Sequence, residues 1–247
     1  MKETRIIMGM PVTLMTPHET DSDVAFKKVF DFFNQVDKRY SPYIDSSEVS
    51  QINRHELTES DYSIEMHEIL ELAENTKHET DGYFDVWHDH TFDPSGIVKG
   101  WAIQRAASIL QSFSDDFYIE AGGDIQVSGN NDKQQSWRVG IRNPFNRHEN
   151  ISIISLGNHA VATSGSAIRG QHIYDPISGN PPTDIVSLSV IAPRIIDADR
   201  MATAAFAMGS RGIEFIEKLK GYEGYMVSAN KNVTMTNGWK KFEVNES

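Results

Sequence analysis

The chain has 247 residues, of which 39% are hydrophobic, and it carries a formal net charge of −12. This length and apolar content are enough for one large domain or for two intimately packed halves. A general nucleic-acid binder presents a basic face, so the acidic balance argues against nucleic acid as a partner. The absence of cysteine excludes disulfides, thiolate metal ligands, a cysteine nucleophile and a lipid-modified cysteine.

No early segment joins a basic stretch to an apolar run in the manner of a signal peptide, and no apolar run is long enough to cross a bilayer. These features predict a cytoplasmic protein without a membrane segment. An extracytoplasmic location is the alternative, if the full protein carries an export segment that this sequence omits.

The first half of the chain alternates between extended and helical patterns. Residues 4–14 have a strand pattern that is broken at residues 9–11. Such a break is typical of an edge strand with a bulge, or of backbone laid against a flat ligand. A turn near residue 46 leads into a short capped helix. Apolar side chains at helical spacing predict longer helices over residues 22–40, 63–77 and 97–110.

Strand patterns dominate the second half. They cover residues 117–119, 125–127, 136–141, 151–156, 159–162 and 185–191, and a final hairpin covers residues 225–227 and 233–235. Asp197 or a near neighbour is expected to cap a helix over residues 198–208, and another helix is expected over residues 210–219. The pattern predicts an α+β fold, with amphipathic helices packed on a mixed, largely antiparallel sheet.

Asp199 and Thr203 are four residues apart on one predicted helix, so their side chains share a face. A carboxylate and a hydroxyl in this arrangement can supply two oxygen ligands to a hard cation such as Mg²⁺. The pair alone favours a plainer interpretation, in which the aspartate caps the helix and the threonine bonds to its own turn.

Five other residues are candidates for binding or catalysis. Lys99 lies in the first turn of a predicted helix, where a cation opposes the helix dipole, and this indicates an anion bound at the same helix end. His172 can take a proton from an attacking hydroxyl, and Asp175 can orient it; a polar turn is the alternative. Thr163 and Ser164 either contact phosphate or close a turn.

Eight short segments follow one another along the chain. They are GMPV at 9–12, SEVSQIN at 47–53, GYFD at 82–85, GIVKG at 96–100, AGGD at 121–124, TSG at 163–165, HIYDP at 172–176 and ADRMATA at 198–204. Any one of these segments is a weak signal, but eight in this order are a strong one. Their order resembles that of one known family, the FAD:protein FMN transferases or ApbE family, and the likeness extends over nearly the whole chain.

The resemblance implies a T-fold-related α+β architecture and a single flavin transferase domain over residues 1–247. It also implies a reaction in which FAD is cleaved at its pyrophosphate and AMP is released. FMN is then joined by a phosphoester bond to a threonine of an acceptor flavoprotein. Mg²⁺ is required, and the acceptor carries a short motif that runs from aspartate through small residues to Ala-Thr.

The same resemblance implies roles for individual residues. Asp199 and Thr203 would be side-chain ligands of Mg²⁺, and Val98 would add a backbone carbonyl. His172 would be the base for the acceptor hydroxyl, helped by Asp175. Lys99 would neutralise an FAD phosphate or hold the geometry beside Asp199. The FAD cleft would be lined by Met10, Tyr83, Phe84, Gly122, Gly123, Asp124, Thr163 and Ser164.

The chain departs from the family pattern at two positions. Gln104 stands where an aspartate is common, and Glu120 stands where an asparagine is common. Two further functions stay open from the residues alone. One is a Mg²⁺-dependent FAD pyrophosphatase, in which water replaces the threonine, and the other is a flavin-binding protein without chemistry.

Overall fold

The computed structural model describes residues 1–17, 22–166 and 173–244. The strands are β1 (Lys2–Ile7), β2 (Met10–Met15), β3 (Trp87–His88), β4 (Thr91–Phe92), β5 (Phe117–Ala121), β6 (Asp124–Ser128), β7 (Arg138–Asn143), β8 (Asn146–Ser155), β9 (Ala160–Gly165), β10 (Ile185–Ala192), β11 (Glu223–Ser228) and β12 (Val233–Met235). The helices are α1 (Ser22–Tyr40), α2 (Glu48–Asn53), α3 (Ile64–Glu79), α4 (Ser95–Gln111), α5 (Ile195–Ala207) and α6 (Gly212–Glu217).

Eight of the strands form one sheet in the order β1-β2-β5-β6-β9-β10-β11-β12. Neighbouring strands in this sheet run antiparallel. The strands β3 and β4 form a separate short hairpin, and β7 and β8 form a longer one. The predicted α+β class is therefore confirmed. No helix in the described ranges is long and apolar enough to span a bilayer.

One face of the large sheet is covered by α1, α4 and α5. Helix α1 buries Phe26, Phe30 and Phe33 completely, because residues three or four apart lie on the same side of a helix. Burying a side chain of this size contributes about 1.5–3 kcal/mol. This core holds α4 and α5 against each other, and both helices contribute to the site described below.

The opposite face of the sheet is covered by the β7–β8 hairpin and the segment that follows β12. Its core contains Trp137, Ile154 and Trp239, all of which are buried. In β7 the side chains alternate, so that Val139 and Ile141 are buried while their neighbours are exposed. The hairpin therefore presents one apolar face to the sheet and one polar face to solvent.

The break at residues 9–11 is a hairpin turn. Met8 and Gly9 have φ angles of 55° and 68°, and Ile7 pairs with Met10 across the turn. Positive φ at two successive residues is typical of the tight turns that join antiparallel strands. The expected edge-strand bulge is thus wrong, and β2 is an interior strand between β1 and β5.

Helix α5 begins three residues earlier than expected. Its N-cap is Arg194, and Asp197 does not cap it. The amide of Ile195 instead donates to the side-chain oxygen of Gln126 on β6, at 2.9 Å. Asp197 accepts hydrogen bonds from the guanidinium groups of Arg194 and Arg200. A contact from a distant strand therefore takes the place of a local cap.

Candidate functional site

A cleft of about 710 Å³ opens at the end of the large sheet where β5 and β9 finish and β10 begins. Its walls also include the start of α4, the face of α5 that carries Asp199 and Thr203, residues between 83 and 95, and the tip of the β7–β8 hairpin. The predicted flavin-binding residues that line it are Tyr83, Phe84, Lys99, Gly122, Thr163 and Ser164. The predicted metal ligands Asp199 and Thr203 line it as well.

A partly buried lysine holds two buried carboxylates together at the base of the cleft. The Nζ atom of Lys99 lies 2.6 Å from Oδ2 of Asp124 and 3.1 Å from Oδ1 of Asp199. The three residues come from α4, β6 and α5, and both aspartates are almost fully buried. An ion pair in such surroundings is weakly screened, so this contact fixes the relative positions of three distant segments.

The imbalance of one cation between two carboxylates shifts the pKa values of Lys99 and Asp199. Burial raises the pKa of Asp199 to about 7, and Asp124 adds to this effect while Lys99 opposes it. Burial alone would lower the pKa of Lys99, but Asp124 and Asp199 outweigh it, so the pKa of Lys99 is raised. Lys99 therefore stays charged at neutral pH, whereas burial opposes the charged form of Asp199.

Asp124 connects this ion pair to the strand that carries the two predicted hydroxyls. Its Oδ1 atom accepts a hydrogen bond from the backbone amide of Thr163, at 3.1 Å. The hydroxyl of Thr163 pairs with that of Ser189, and the hydroxyl of Ser164 lies 3.3 Å from that of Thr203. Asp124 thus lies beneath the cleft surface and positions both Lys99 and the end of β9.

Two glycines of α4 allow close packing at this point, Gly100 against α5 and Gly96 against the ring of Phe84. A Cβ atom on Gly100 would lie 2.9 Å from Cβ of Asp199 and 3.1 Å from Cα of Ile196, which is closer than packed atoms approach. A Cβ atom on Gly96 would meet the ring of Phe84 at 3.2 Å. The glycine pair therefore brings Lys99 and Phe84 next to the acidic face of α5.

The side-chain oxygens at the base of the cleft are of the kinds that bind a hard divalent cation. The Oδ2 atom of Asp199 is buried, and no donor in the described part of the chain bonds to it. The hydroxyl of Thr203 lies on the same face of α5, with that of Ser164 beside it. Carboxylate and hydroxyl oxygens are the ligand types that Mg²⁺ takes in proteins.

Four other predicted residues are not among those that line the cleft. Met10 is buried in the core, and Val98 is buried within α4. Gly123 shares the β5–β6 turn with Gly122, with a φ angle of 98°. Asp175 closes its own turn, since its Oδ1 atom accepts from the amide of Ile177 at 2.9 Å. The proposed roles of these four residues stay predictions.

His172, the candidate base, lies outside the described residues. The neighbouring Tyr174 is described, and it lines the cleft. Its ring is 3.9 Å from that of His88, and burial followed by Asp85, Asp93 and Asp89 raises the pKa of Tyr174 to about 12. His88 and Asp89 also line the cleft.

The cleft wall also includes Arg142, Asn143 and Pro144, which no sequence pattern indicated. These residues lie at the tip of a hairpin whose body packs on the far face of the sheet. Strand alternation predicts that Arg142 points away from the apolar core, but it does not predict which neighbouring segment it meets.

Comparison with known proteins gives a family match over most of the chain. The ApbE family profile matches residues 8–91 and 87–226. The FAD:protein FMN transferase of Vibrio cholerae is 34% identical over 137 residues, which are 51% of this chain and 41% of that protein. The FAD:protein FMN transferase of Treponema pallidum is 28% identical over 166 residues, which are 59% of this chain and 46% of that protein.

The matched segments thus span less than half the length of these two relatives. A longer match, at 24% identity, joins 84% of this chain to 81% of the FAD:protein FMN transferase of Chlamydia muridarum.

Solved structures share the fold over nearly the full length. The crystal structure of the ApbE protein of Thermotoga maritima has a TM-score of 0.88 at 22% identity, with 99% of both chains covered. The flavin transferase ApbE from Vibrio cholerae has a TM-score of 0.84 at 23% identity, with 98% of both chains covered. At such identities the structural likeness establishes the fold. Together with the profile match across residues 8–226, it shows that the chain belongs to the ApbE family.

Proposed function

We propose that the protein is a Mg²⁺-dependent FAD:protein FMN transferase. It cleaves FAD at the pyrophosphate, transfers FMN to a threonine of an acceptor flavoprotein and releases AMP. The names of the relatives support a flavin transferase activity. The cleft adds support, because it gathers a carboxylate, a lysine and several hydroxyls that suit the binding of a diphosphate with a metal ion.

The proposal rests mainly on the surroundings of the two carboxylate oxygens of Asp199. It is held by Lys99 through one oxygen, while its second oxygen is buried without a donor among the described residues. Leaving a buried charged oxygen unpaired costs free energy unless another group binds it. A divalent cation at this oxygen accounts for the arrangement.

Asp199 and Thr203 would hold Mg²⁺, with the carbonyl of Val98 as the third ligand that the family resemblance implies. The ion, when bound, neutralises charge that develops on the transferring phosphate. The cleavage of a pyrophosphate otherwise depends mainly on positioning. Thr163 and Ser164 present hydroxyl donors to the phosphates, and Phe84 presents an apolar ring beside them.

In the proposed transfer, the hydroxyl oxygen of the acceptor threonine forms a bond to the phosphorus on the flavin side of FAD. The bond from that phosphorus to the bridging oxygen breaks, and AMP leaves with the bridging oxygen. The proton of the threonine hydroxyl passes to a base, for which His172 is the candidate, helped by Asp175. We expect His172→Ala to slow transfer more than it weakens FAD binding.

Mass spectrometry tests the proposal directly. The protein is incubated with FAD, Mg²⁺ and an acceptor domain that carries the Asp-to-Ala-Thr motif, and the acceptor is examined for the added mass of FMN. The matched control is the same acceptor with its threonine replaced by valine. An FMN adduct on the threonine acceptor alone supports transfer. Free FMN and AMP without an adduct would indicate a pyrophosphatase, and intact FAD would indicate a binding protein.

A further inference from the structure

The cleft wall carries more acidic than basic side chains. The lining residues include four carboxylates, those of Asp85, Asp89, Asp93 and Asp199, and two cations, Lys99 and Arg142. The charge of Lys99 is already shared by two carboxylates within 3.1 Å. A ligand with two phosphate charges therefore needs another positive group that is not yet engaged.

Arg142 is such a group. Arg142 is exposed, and its guanidinium has no hydrogen bond or ion pair among the described residues. Its charge acts on the buried phenol of Tyr118, where it opposes the rise in pKa that burial causes. It is the last but one residue of β7, where the register against β8 shifts on both sides of it. These irregularities end the regular pairing, and the tip of the hairpin, with Asn143 and Pro144, forms part of the cleft wall.

We infer that Arg142 binds the diphosphate of FAD from the β7–β8 side of the cleft, opposite the helices α4 and α5. This inference rests on the proposed function, since FAD supplies the anion. A guanidinium group is charged at every physiological pH, and its planar donors match two phosphate oxygens at once. Arg142 would thus complement a metal ion held by Asp199, and it would do so without an acidic partner of its own.

The test compares two ligands that differ in phosphate. FAD carries the diphosphate, whereas riboflavin carries the same ring system without phosphate. The Kd of each is measured by flavin fluorescence without Mg²⁺, so that no turnover occurs. Arg142→Ala is compared with Arg138→Ala, which removes an exposed arginine from the same strand and outside the cleft. Arg142→Lys retains the charge but loses the planar pair of donors.

The expected result is about tenfold weaker binding of FAD by Arg142→Ala, which is the loss of about 1.4 kcal/mol. Riboflavin binding should be unchanged, Arg142→Lys should be intermediate, and Arg138→Ala should match the wild type. Unchanged FAD binding in Arg142→Ala would overturn the inference, and so would an equal loss for riboflavin.

A raised KM for the acceptor, with unchanged FAD binding, would also overturn the inference and would assign Arg142 to an acceptor carboxylate. A wild-type protein that binds no FAD would contradict the proposed function itself, and the inference would fall with it. Normal FAD binding by both the wild type and Arg142→Ala would contradict the inference alone. The two failures are therefore distinguishable.

Discussion

The site depends on one lysine that is shared by two buried carboxylates. We predict that Lys99→Met lowers the free energy of unfolding by about 3–5 kcal/mol, because it leaves the charges of Asp124 and Asp199 buried without a cation. Urea unfolding followed by circular dichroism measures the change. The methionine keeps most of the apolar length of the lysine, so the loss reports on charge more than on packing.

The matched control is Lys77→Met, which removes the cation of a half-exposed ion pair with Asp85. Exposed pairs contribute about 0–1 kcal/mol, since water screens them and their side chains lose freedom on pairing. If both variants lost the same stability, the loss in Lys99→Met would not come from the two buried carboxylates. Lys99 would then not hold the base of the cleft together.

We predict that a change at Asp199 lowers the rate of FAD cleavage while the protein still folds. We expect Asp199→Asn to lower the rate of Mg²⁺-dependent FAD cleavage by about 100-fold or more, because a bound metal ion supplies several kcal/mol of transition-state stabilisation. Release of AMP measures the rate. Folding should survive, since burial already opposes the charged form of this carboxyl.

The companion variants are Thr203→Val and Thr203→Ser. The first removes the hydroxyl while it keeps the shape, and the second keeps the hydroxyl. Valine should reduce the rate in the same direction as Asp199→Asn, whereas serine should retain most of it. A wild-type rate in Asp199→Asn would contradict the metal assignment.

The pairing of α4 with α5 depends on the absence of a side chain at residue 100. Alanine favours a helix over glycine by about 1 kcal/mol, so Gly100→Ala would stabilise a freely exposed helix. Here we predict the opposite sign. The free energy of unfolding should fall by about 1–3 kcal/mol, because the added methyl group would lie 2.9 Å from Cβ of Asp199. Thermal unfolding measures the sign of the change in stability. The rate of FAD cleavage should also fall, because Lys99 moves away from Asp199.

Ser108→Ala in the same helix is the control, since residue 108 is exposed. This change should alter stability by less than about 0.5 kcal/mol in either direction. A Gly100→Ala variant that is as stable as the wild type would mean that the two helices can separate without loss. The close contact between them would then have no role in the site.

Elements that depend on local pattern could be predicted from the sequence. The apolar spacing over residues 22–40 matches α1, and the strand patterns on either side of Gly122 match the β5–β6 hairpin. The start of α5 could not be predicted, because Gln126 from a distant strand satisfies its first amide. A side chain that is 69 positions away in sequence leaves no local signal.

The molecule as a whole is built on a sheet with two cores, and the cleft lies where elements from both sides meet. Lys99 and Asp199 were expected near each other through the family resemblance, and they are in contact. The pairing of Lys99 with Asp124 and the presence of Arg142 in the cleft were not expected. Both follow from tertiary packing, which brings together residues that neither periodicity nor motif order relates.

A ligand that fills this cleft contacts α4, α5, β9 and the β7–β8 hairpin together, so it should stabilise the whole fold. We predict that FAD at 100 times its Kd raises the free energy of unfolding by about 2.7 kcal/mol. For a chain of this size that corresponds to a rise in Tm of roughly 5–10 °C. Differential scanning calorimetry measures the rise, with riboflavin, AMP and NAD⁺ as comparison ligands.

Riboflavin and AMP each reach only part of the cleft, and NAD⁺ carries a diphosphate without the flavin ring. A Tm in FAD no higher than in NAD⁺ would show that the cleft does not recognise the flavin dinucleotide.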